Sequence, residues 1–349
     1  MLGAVALAAA VLAGAGDAQA DAGRARAAYP LTLLVQADAY ADAPPTLPGD
    51  PPPEAGVRLR RVRAGEDVSV RAFRLRVVLE GRPRDAAGQY YTSIEGGRFR
   101  DDRPMRLTDA FLSWAPSAAF DARVGAMRVP FSLSRQIDEA WLRLPERPAF
   151  VNALAPDFRA GAGVGGDLGA LLYGAGVFAS SRVLDRDVFA RGAFAAARVA
   201  AEPIGPVGTM PWRRPVTDPW TDWFRFAVGA SILYGTLLEA RTLGAGADVS
   251  IQWRRFVATG DYIFQHMPSG DRQGAYVEPG LTVLTGRLDV AARVAWARAA
   301  DSNAWSAGLS ATATTRVPAL RVQAGIDQRS DGSGSGSYLA IVRLTASID

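Results

Sequence analysis

The stretch "LRVQAGIDQR", Leu320 to Arg329, decides the fold. Leu320, Val322, Ala324 and Ile326 fall on one side of an extended chain, and Arg321, Gln323, Gly325, Asp327 and Arg329 oppose them. Successive strand side chains point to opposite faces, so this is a strand with one apolar and one polar face. The pattern recurs upstream. Phe224, Phe226, Val228, Ala230, Ile232 and Tyr234 alternate with Arg225, Gly229 and Ser231, and Leu288, Val290, Ala292, Val294 and Trp296 alternate with Arg287, Asp289, Ala291 and Arg293. Trp305, Ala307, Leu309, Ala311 and Ala313 continue it, as do Tyr338, Ala340, Val342, Leu344, Ala346 and Ile348.

A soluble sandwich shows the same alternation, with its apolar faces packed on each other. Three features favour a transmembrane barrel: many long alternating segments, an export signal, and joints that alternate between short and long. Strands are expected near 31–42, 57–64, 68–80, 105–115, 120–130, 161–168, 170–180, 187–200, 223–234, 247–256, 258–267, 273–284, 286–298, 303–315, 318–329 and 337–348. That makes about sixteen, with fourteen or eighteen open, and an even number brings both chain ends to one side of the membrane. "AGED", "PSAAF" and "RVPA" read as short joints at one end, and 43–56, 81–104 and 131–160 as long ones at the other. The joint 201–222 is long where a short one is due. Trp114, Phe120, Trp223, Trp253 and Tyr338, near strand ends, suit aromatic girdles at the two interfaces.

Composition is compatible with this reading. Apolar residues make up 49 % and mean hydropathy is +0.03. Beyond the N-terminus no apolar run approaches the ~20 residues of a spanning helix. "LGAVALAAAVLAGAG" followed by "AQA" at Ala18–Ala20 resembles a secretory signal, so residues 1–20 read as a signal peptide and 21–349 as the barrel domain. Cysteine is absent, which excludes a disulfide framework and a thiolate metal site. All 39 basic side chains are arginine, and the formal charge is only +4. Nucleic-acid binding wants basic charge clustered on one face, and nothing here points to it.

Catalytic chemistry is scarce. His266 is the only histidine, so a multi-histidine metal site is excluded and a serine hydrolase would have to rest on it. It shares a face with Tyr262 and Phe264 near a strand end, which suits an interfacial residue. "GAGVGG" at Gly161–Gly166 lacks the Lys-Ser/Thr ending of a phosphate loop, and "SDGSGSGS" at Ser330–Ser337 is a loop by composition. No catalytic residue, metal or cofactor is assigned.

If the apolar faces meet lipid, the polar faces line a lumen. That puts Asp38, Arg74, Arg76, Arg225, Asp248, Gln252, Arg254, Asp261, Glu278, Arg287, Asp289, Arg293, Arg321, Asp327 and Arg343 inside. Two readings of this wall stand. A modest arginine excess favours anions, or Arg–Asp pairs neutralise each other and stiffen the wall.

Several stretches then resemble one family. "VRLRRVRAG" (Val57–Gly65) with "VRAFRLRVVLEG" is similar to the early Arg-rich hairpin of the phosphate-selective porin O and P family of bacterial outer membranes. "LTDAFLSW" resembles its Leu-x-Asp-Ala-Tyr strand, carrying Asp109 and with Phe111 for Tyr. "RVGAMRVPFS" resembles its Arg-Val-Gly-Gln-Phe-Lys-x-Pro-Phe-Ser signature and keeps Arg123, Gly125, Pro130, Phe131 and Ser132. "LPERPAFVNALAPDFRAGAG" resembles the stretch that follows. The likeness runs over roughly 57–180. It implies a sixteen-stranded, trimeric channel in outer-membrane lipid, narrowed by a loop folded inward. Within the expected loop 131–160, Arg135, Asp138, Glu139 and Arg143 are the candidate constriction residues, with Phe131 at the rim. The family's pore lysines are missing, and Ala126 and Met127 replace Gln and Phe, so phosphate selectivity is not carried over. The expectation is a porin passing small hydrophilic solutes or inorganic anions. A barrel plugged by its loops and acting as a binding or structural component is the alternative, and a hydrolase built on His266 is the more remote one.

Overall fold

The computed structural model describes residues 31–43, 54–81, 90–92, 98–100, 105–138, 142–180, 192–205, 207, 224–237, 240–284, 288–299, 302–314, 319–330 and 336–348. The expected signal segment 1–20 lies outside them, as do Glu139, Trp223 and Arg287.

Sixteen antiparallel strands close into one barrel. The first five are β1 (Leu31–Ala43), β2 (Glu54–Val70), β3 (Phe73–Gly81), β4 (Met105–Ser117) and β5 (Phe120–Arg128). After an inward loop come β6 (Phe158–Asp167), β7 (Leu171–Ala179) and β8 (Ala193–Ile204). The rest are β9 (Phe224–Leu237), β10 (Ala240–Trp253), β11 (Phe256–Met267), β12 (Gly270–Leu284), β13 (Leu288–Ala299), β14 (Ser302–Thr314), β15 (Ala319–Ser330) and β16 (Gly336–Ile348). Each strand pairs with its sequence neighbour, and β1 closes the ring against β16 through Val35↔Ala346 and Ala39↔Val342. Closure leaves no unpaired edge in the ring, as lipid demands. A small ribbon, 90–92 with 98–100, stands apart from it.

The outer face is what lipid requires. Val124, Val177, Val277, Val294 and Leu309 are more than half exposed, while their inward neighbours are polar or small except where Phe178 and Tyr276 join the cluster around the inward loop. Aromatics ring both ends. Phe73, Trp114, Phe224, Trp253 and Phe256 gather where the connections are short, and Tyr234, Tyr262, Trp305 and Tyr338 at the opposite end. We call these the turn end and the loop end. The connection from β8 to β9 is long yet lies at the turn end, so the irregularity at 201–222 belongs to the protein.

One turn differs from expectation. "AGED" at 64–67 does not bend; β2 runs through it to Val70 and the chain reverses at Arg71–Ala72, with Val70 opposite Phe73. Gly and Asp are turn residues in water, but here each has a partner across the sheet. A Cβ on Gly65 would stand 2.6 Å from Val77 O, and Asp67 turns inward to Arg74 and Arg76. Arg71 absorbs the reversal at φ 55°.

The loop after β5 folds into the barrel, as the family resemblance implies. Phe131 is completely buried there rather than at the rim, packed with Val129, Phe150, Val151 and Leu154 against Phe178, Phe194, Leu233 and Ile263 of the wall. The loop holds two short helices, α1 (Leu133–Gln136) and α2 (Ala149–Leu154).

Gly125, in the strand that launches this loop, has φ +129° and a hypothetical Cβ only 2.2 Å from Ala110 O. Gly125→Ala is expected to destabilise the barrel by about 1–3 kcal/mol or more, read as a lower melting temperature of the folded band on unheated gels. Gly81→Ala, whose nearest neighbour is Val62 O at 3.8 Å, is expected to leave it unchanged.

Candidate pore and its constriction

The pore wall begins with an irregularity in β2. Gln36 of β1 pairs with Arg61 but Ala37 with Leu59, so Arg60 is an extra residue in the ladder. A bulge of this kind re-aims side chains. Arg60 and Arg61, consecutive in sequence, are consequently both buried inside the barrel.

Arg60 reaches Asp38 at 3.2 Å and forms a two-pronged contact with Glu146 of the loop. Arg343 of β16 binds the same two acids: Asp38 at 2.7 and 2.9 Å, and Glu146 at 2.9 Å. It also donates to the Pro145 carbonyl. Arg63 bridges Glu80 at 2.9 Å and Asp138 of the loop at 2.8 Å. Three arginines on the strands beside the closure seam thus hold two loop carboxylates.

Elsewhere the wall takes the loop backbone. Arg293 donates to Glu146 O at 2.5 Å, Arg321 to Leu142 O at 2.6 Å and Ser310 to Arg143 O at 2.7 Å. Gln265 donates to Leu154 O at 2.6 Å. Ser132 Oγ donates to Asp261 at 2.5 Å, which also accepts from the Ser134 amide. Where the loop presents bulk, the wall has glycine: a Cβ would come within 2.4 Å of Phe150 at Gly274, 2.7 Å of Leu144 at Gly308 and 2.8 Å of Pro145 at Gly325. Inside the loop, Arg135 donates to the carbonyls of Ala155 and Asn152, and Arg147 to those of Ser134 and Ile137. Its two limbs are therefore tied together.

The sequence-named residues fall as follows. Asp38, Asp248, Gln252, Asp261, Arg293 and Arg343 are buried inside the barrel, and Asp327 is nearly so. Arg225 is half-buried on β9. Glu278 and Asp327 flank Arg293 at 3.8 and 3.6 Å, and Asp289 accepts from Thr282 at 2.6 Å. Arg143 lies against Gly280. Arg254 is a correction. It occupies the turn between β10 and β11 with φ 51°, exposed and lying on the Trp253 ring. The alternation ends at Trp253, so parity no longer dictates direction. His266 faces outward and bonds Asp271 at 2.6 Å.

Residues the alternation missed include Arg60, Arg61, Arg63, Asp67, Glu80 and Arg198. The Arg-rich hairpin signalled the first three; Arg198, completely buried and doubly bonded to Asp248, gave none.

The opposite wall is wetter. On β2 to β5, Arg74 and Arg76 are 39 % and 27 % exposed, while Asp67, which both bind, is 6 % exposed. Asp109 stands 3.7 Å from Arg76, and Arg123 pairs with Asp121. Asp138, 32 % exposed, faces Arg63 and Arg128 across the gap.

With this geometry in place, the comparisons can be stated. Residues 56–222 match the phosphate-selective porin O and P family. Similar solved structures include an anion-selective porin from Comamonas acidovorans (11 % identity, TM-score 0.60), covering 93 % of this chain and 100 % of that one. OprB of Pseudomonas putida is 10 % identical with a TM-score of 0.58, covering 92 % of this chain and 94 % of its own. A loop-deletion mutant of OmpT from Vibrio cholerae is 10 % identical with a TM-score of 0.59, covering 92 % and 99 %. At such identities the likeness is one of fold. No curated protein matches the chain in sequence. The barrel has the fold of these outer-membrane porins, and the family match, over 167 of the 349 residues, supports a channel for small solutes.

Glu146 is the anchor to test. Burial alone raises its carboxyl, but Arg60 and Arg343 overcome that and hold it well below the usual carboxylate range. A lowered carboxylate stabilises fully above its ordinary pKa and is lost as pH falls through the folded value. Single-channel current is therefore expected to be quiet at neutral pH and to turn noisy only in acid well below pH 4.5, the ordinary Glu value. Glu146→Gln is expected to be noisy at neutral pH, and an unchanged acid onset in that variant counts against the anchor.

Proposed function

We propose that the channel passes small hydrophilic solutes by diffusion with a mild preference for inorganic anions. The observation that carries this reading is the unequal exposure on the wet wall. Arg74 and Arg76 stand in water while the carboxylate they share is tucked against the strands, so a passing ion meets the guanidinium groups first. Exposed charge biases ion entry more than charge that is buried and paired. Elsewhere the described lumen arginines largely neutralise acids, which keeps the preference mild. The anion-selective description of the Comamonas porin supports the sign. The pore has no lysine, but arginine binds phosphate through two prongs, so the anion preference is proposed without choosing phosphate over other anions.

The pore-lining set is Arg74, Arg76, Arg225, Arg293, Arg321, Arg343, Asp248, Asp261 and Asp289, with Arg135, Asp138 and Arg143 shaping the constriction. Of these, Arg135 acts through the loop's own backbone, and Asp138 meets the solute. Export by the segment 1–20, on its apolar run and the small-residue "AQA" site, and assembly as a trimer, on the family resemblance, complete the proposal.

Reversal potentials across planar bilayers in a salt gradient test it. Wild type is expected to favour anions. Each partly exposed charge is worth roughly 0.2–1 kcal/mol, so Arg74→Gln/Arg76→Gln is expected to lower the anion-to-cation ratio by about 1.5-fold or more, and Asp138→Asn to raise it. Cation preference in wild type overturns the sign, and folded protein without stepwise conductance overturns the channel. The trimer is checked by sedimentation in detergent, since a chain without lysine offers amine cross-linkers little purchase; a monomer alone counts against it.

A further inference from the structure

Two charges at the loop end of the described outer surface have no counter-charge. Arg241 on β10 and Arg298 on β13 are exposed and point away from the lumen. Neither has a hydrogen-bond or ion-pair partner among the described residues. Both lie at the loop end, just beyond the aromatic girdle. Arg298 follows Trp296 by two residues on the same face, and Trp296 pairs with Trp305. Arg241 is opposite Thr236, two residues beyond the Tyr234↔Leu243 pair.

Between them run β11 and β12, whose outward residues at this height are polar too. His266 and Asp271 are direct partners bonded at 2.6 Å, and Gln273 is opposite Arg298. Tyr262 Oη donates to Gln273 at 2.8 Å. Four consecutive strands therefore present a polar arc whose one acid is already engaged by a histidine, leaving two unpaired guanidinium groups. The turn end is different: its girdle residues Phe73, Trp114, Phe224 and Trp253 are aromatic, and its exposed arginines Arg71, Arg254 and Arg255 sit in the tight turns beyond them.

We propose that Arg241 and Arg298, with the His266–Asp271 pair between them, form a docking surface for the phosphorylated headgroups of bilayer lipids at the loop end. The girdle fixes the depth, because Trp and Tyr rings settle at the headgroup level. A long arginine stem lies along apolar surface while its head reaches the interface. There the planar guanidinium meets phosphate oxygens two at a time. Three strand steps of ~4.8 Å and a register offset of about four residues place the two arginines ~20 Å apart, so each takes a separate phosphate. Charge complementarity selects this occupant over an uncharged acyl chain or a second copy of the same basic arc.

The test measures lipid association by electron spin resonance in phosphatidylcholine vesicles, comparing spin-labelled phosphatidic acid with spin-labelled phosphatidylcholine. Wild type is expected to prefer phosphatidic acid about fivefold. Arg241→Gln/Arg298→Gln is expected to bring the ratio near one, with unchanged conductance and the same unheated gel mobility showing an intact barrel. Equal association of both lipids with wild type overturns the proposal. So does a preference that survives in the double variant, which assigns it to the turn-end arginines Arg71, Arg254 and Arg255.

Discussion

Glu146 is held by Arg60 and Arg343, and the pore depends on that contact. The two arginines stand on β2 and β16, on either side of β1, whose Asp38 they share. One loop carboxylate thus bridges the strands around the seam where the barrel closes. A buried ion pair is weak evidence of net stability, because desolvation offsets much of the attraction, but losing one partner strands the other charge. The same economy that makes the network modest as glue makes it strict as a positioning device. Only in this position does the loop bring both Glu146 and Asp138 to arginines of the wall.

The remaining docking contacts follow from that constraint. The loop crosses a lumen whose wall was built to receive it, with glycine beneath Phe150, Leu144 and Pro145, and side-chain donors beneath the carbonyls of Leu142, Arg143 and Leu154. Polar and apolar parts of the loop sort to different strands: Phe131, Phe150 and Leu154 meet the apolar wall, Asp138 and Glu146 meet arginines. The consequence is an uneven lumen, closely filled on one side and wet along β2 to β5.

Much of the barrel was legible because lipid and water on opposite faces force a period of two, and all sixteen strands overlap their expected segments, though β2 runs on to Val70 and β10 begins at Ala240 rather than 247. Misreadings came where local chemistry was taken without its partner. "AGED" looked like a turn because Gly and Asp favour turns in water, yet Asp67 is paired across the sheet and Gly65 admits Val78. Arg254 looked like a wall residue because parity was carried one step past Trp253 into a turn. Phe131 looked like a rim residue because Pro130 ends the strand's pairing there, but the chain has already turned inward and the aromatic ring packs in the apolar cluster of loop and wall.

Alternation, an even strand count and the order of family motifs sufficed for a porin-type barrel, since these are properties of residues near one another in the chain. The site was different. Which arginines face in depends on a bulge at Arg60 that shifts parity, and a bulge is a relation between two strands. Which charges remain exposed depends on where the loop lies, and that rests on pairs such as Arg343 with Glu146, far apart in sequence and joined only by closure. Burial and pairing are properties of the closed ring, so the tertiary structure alone decided them.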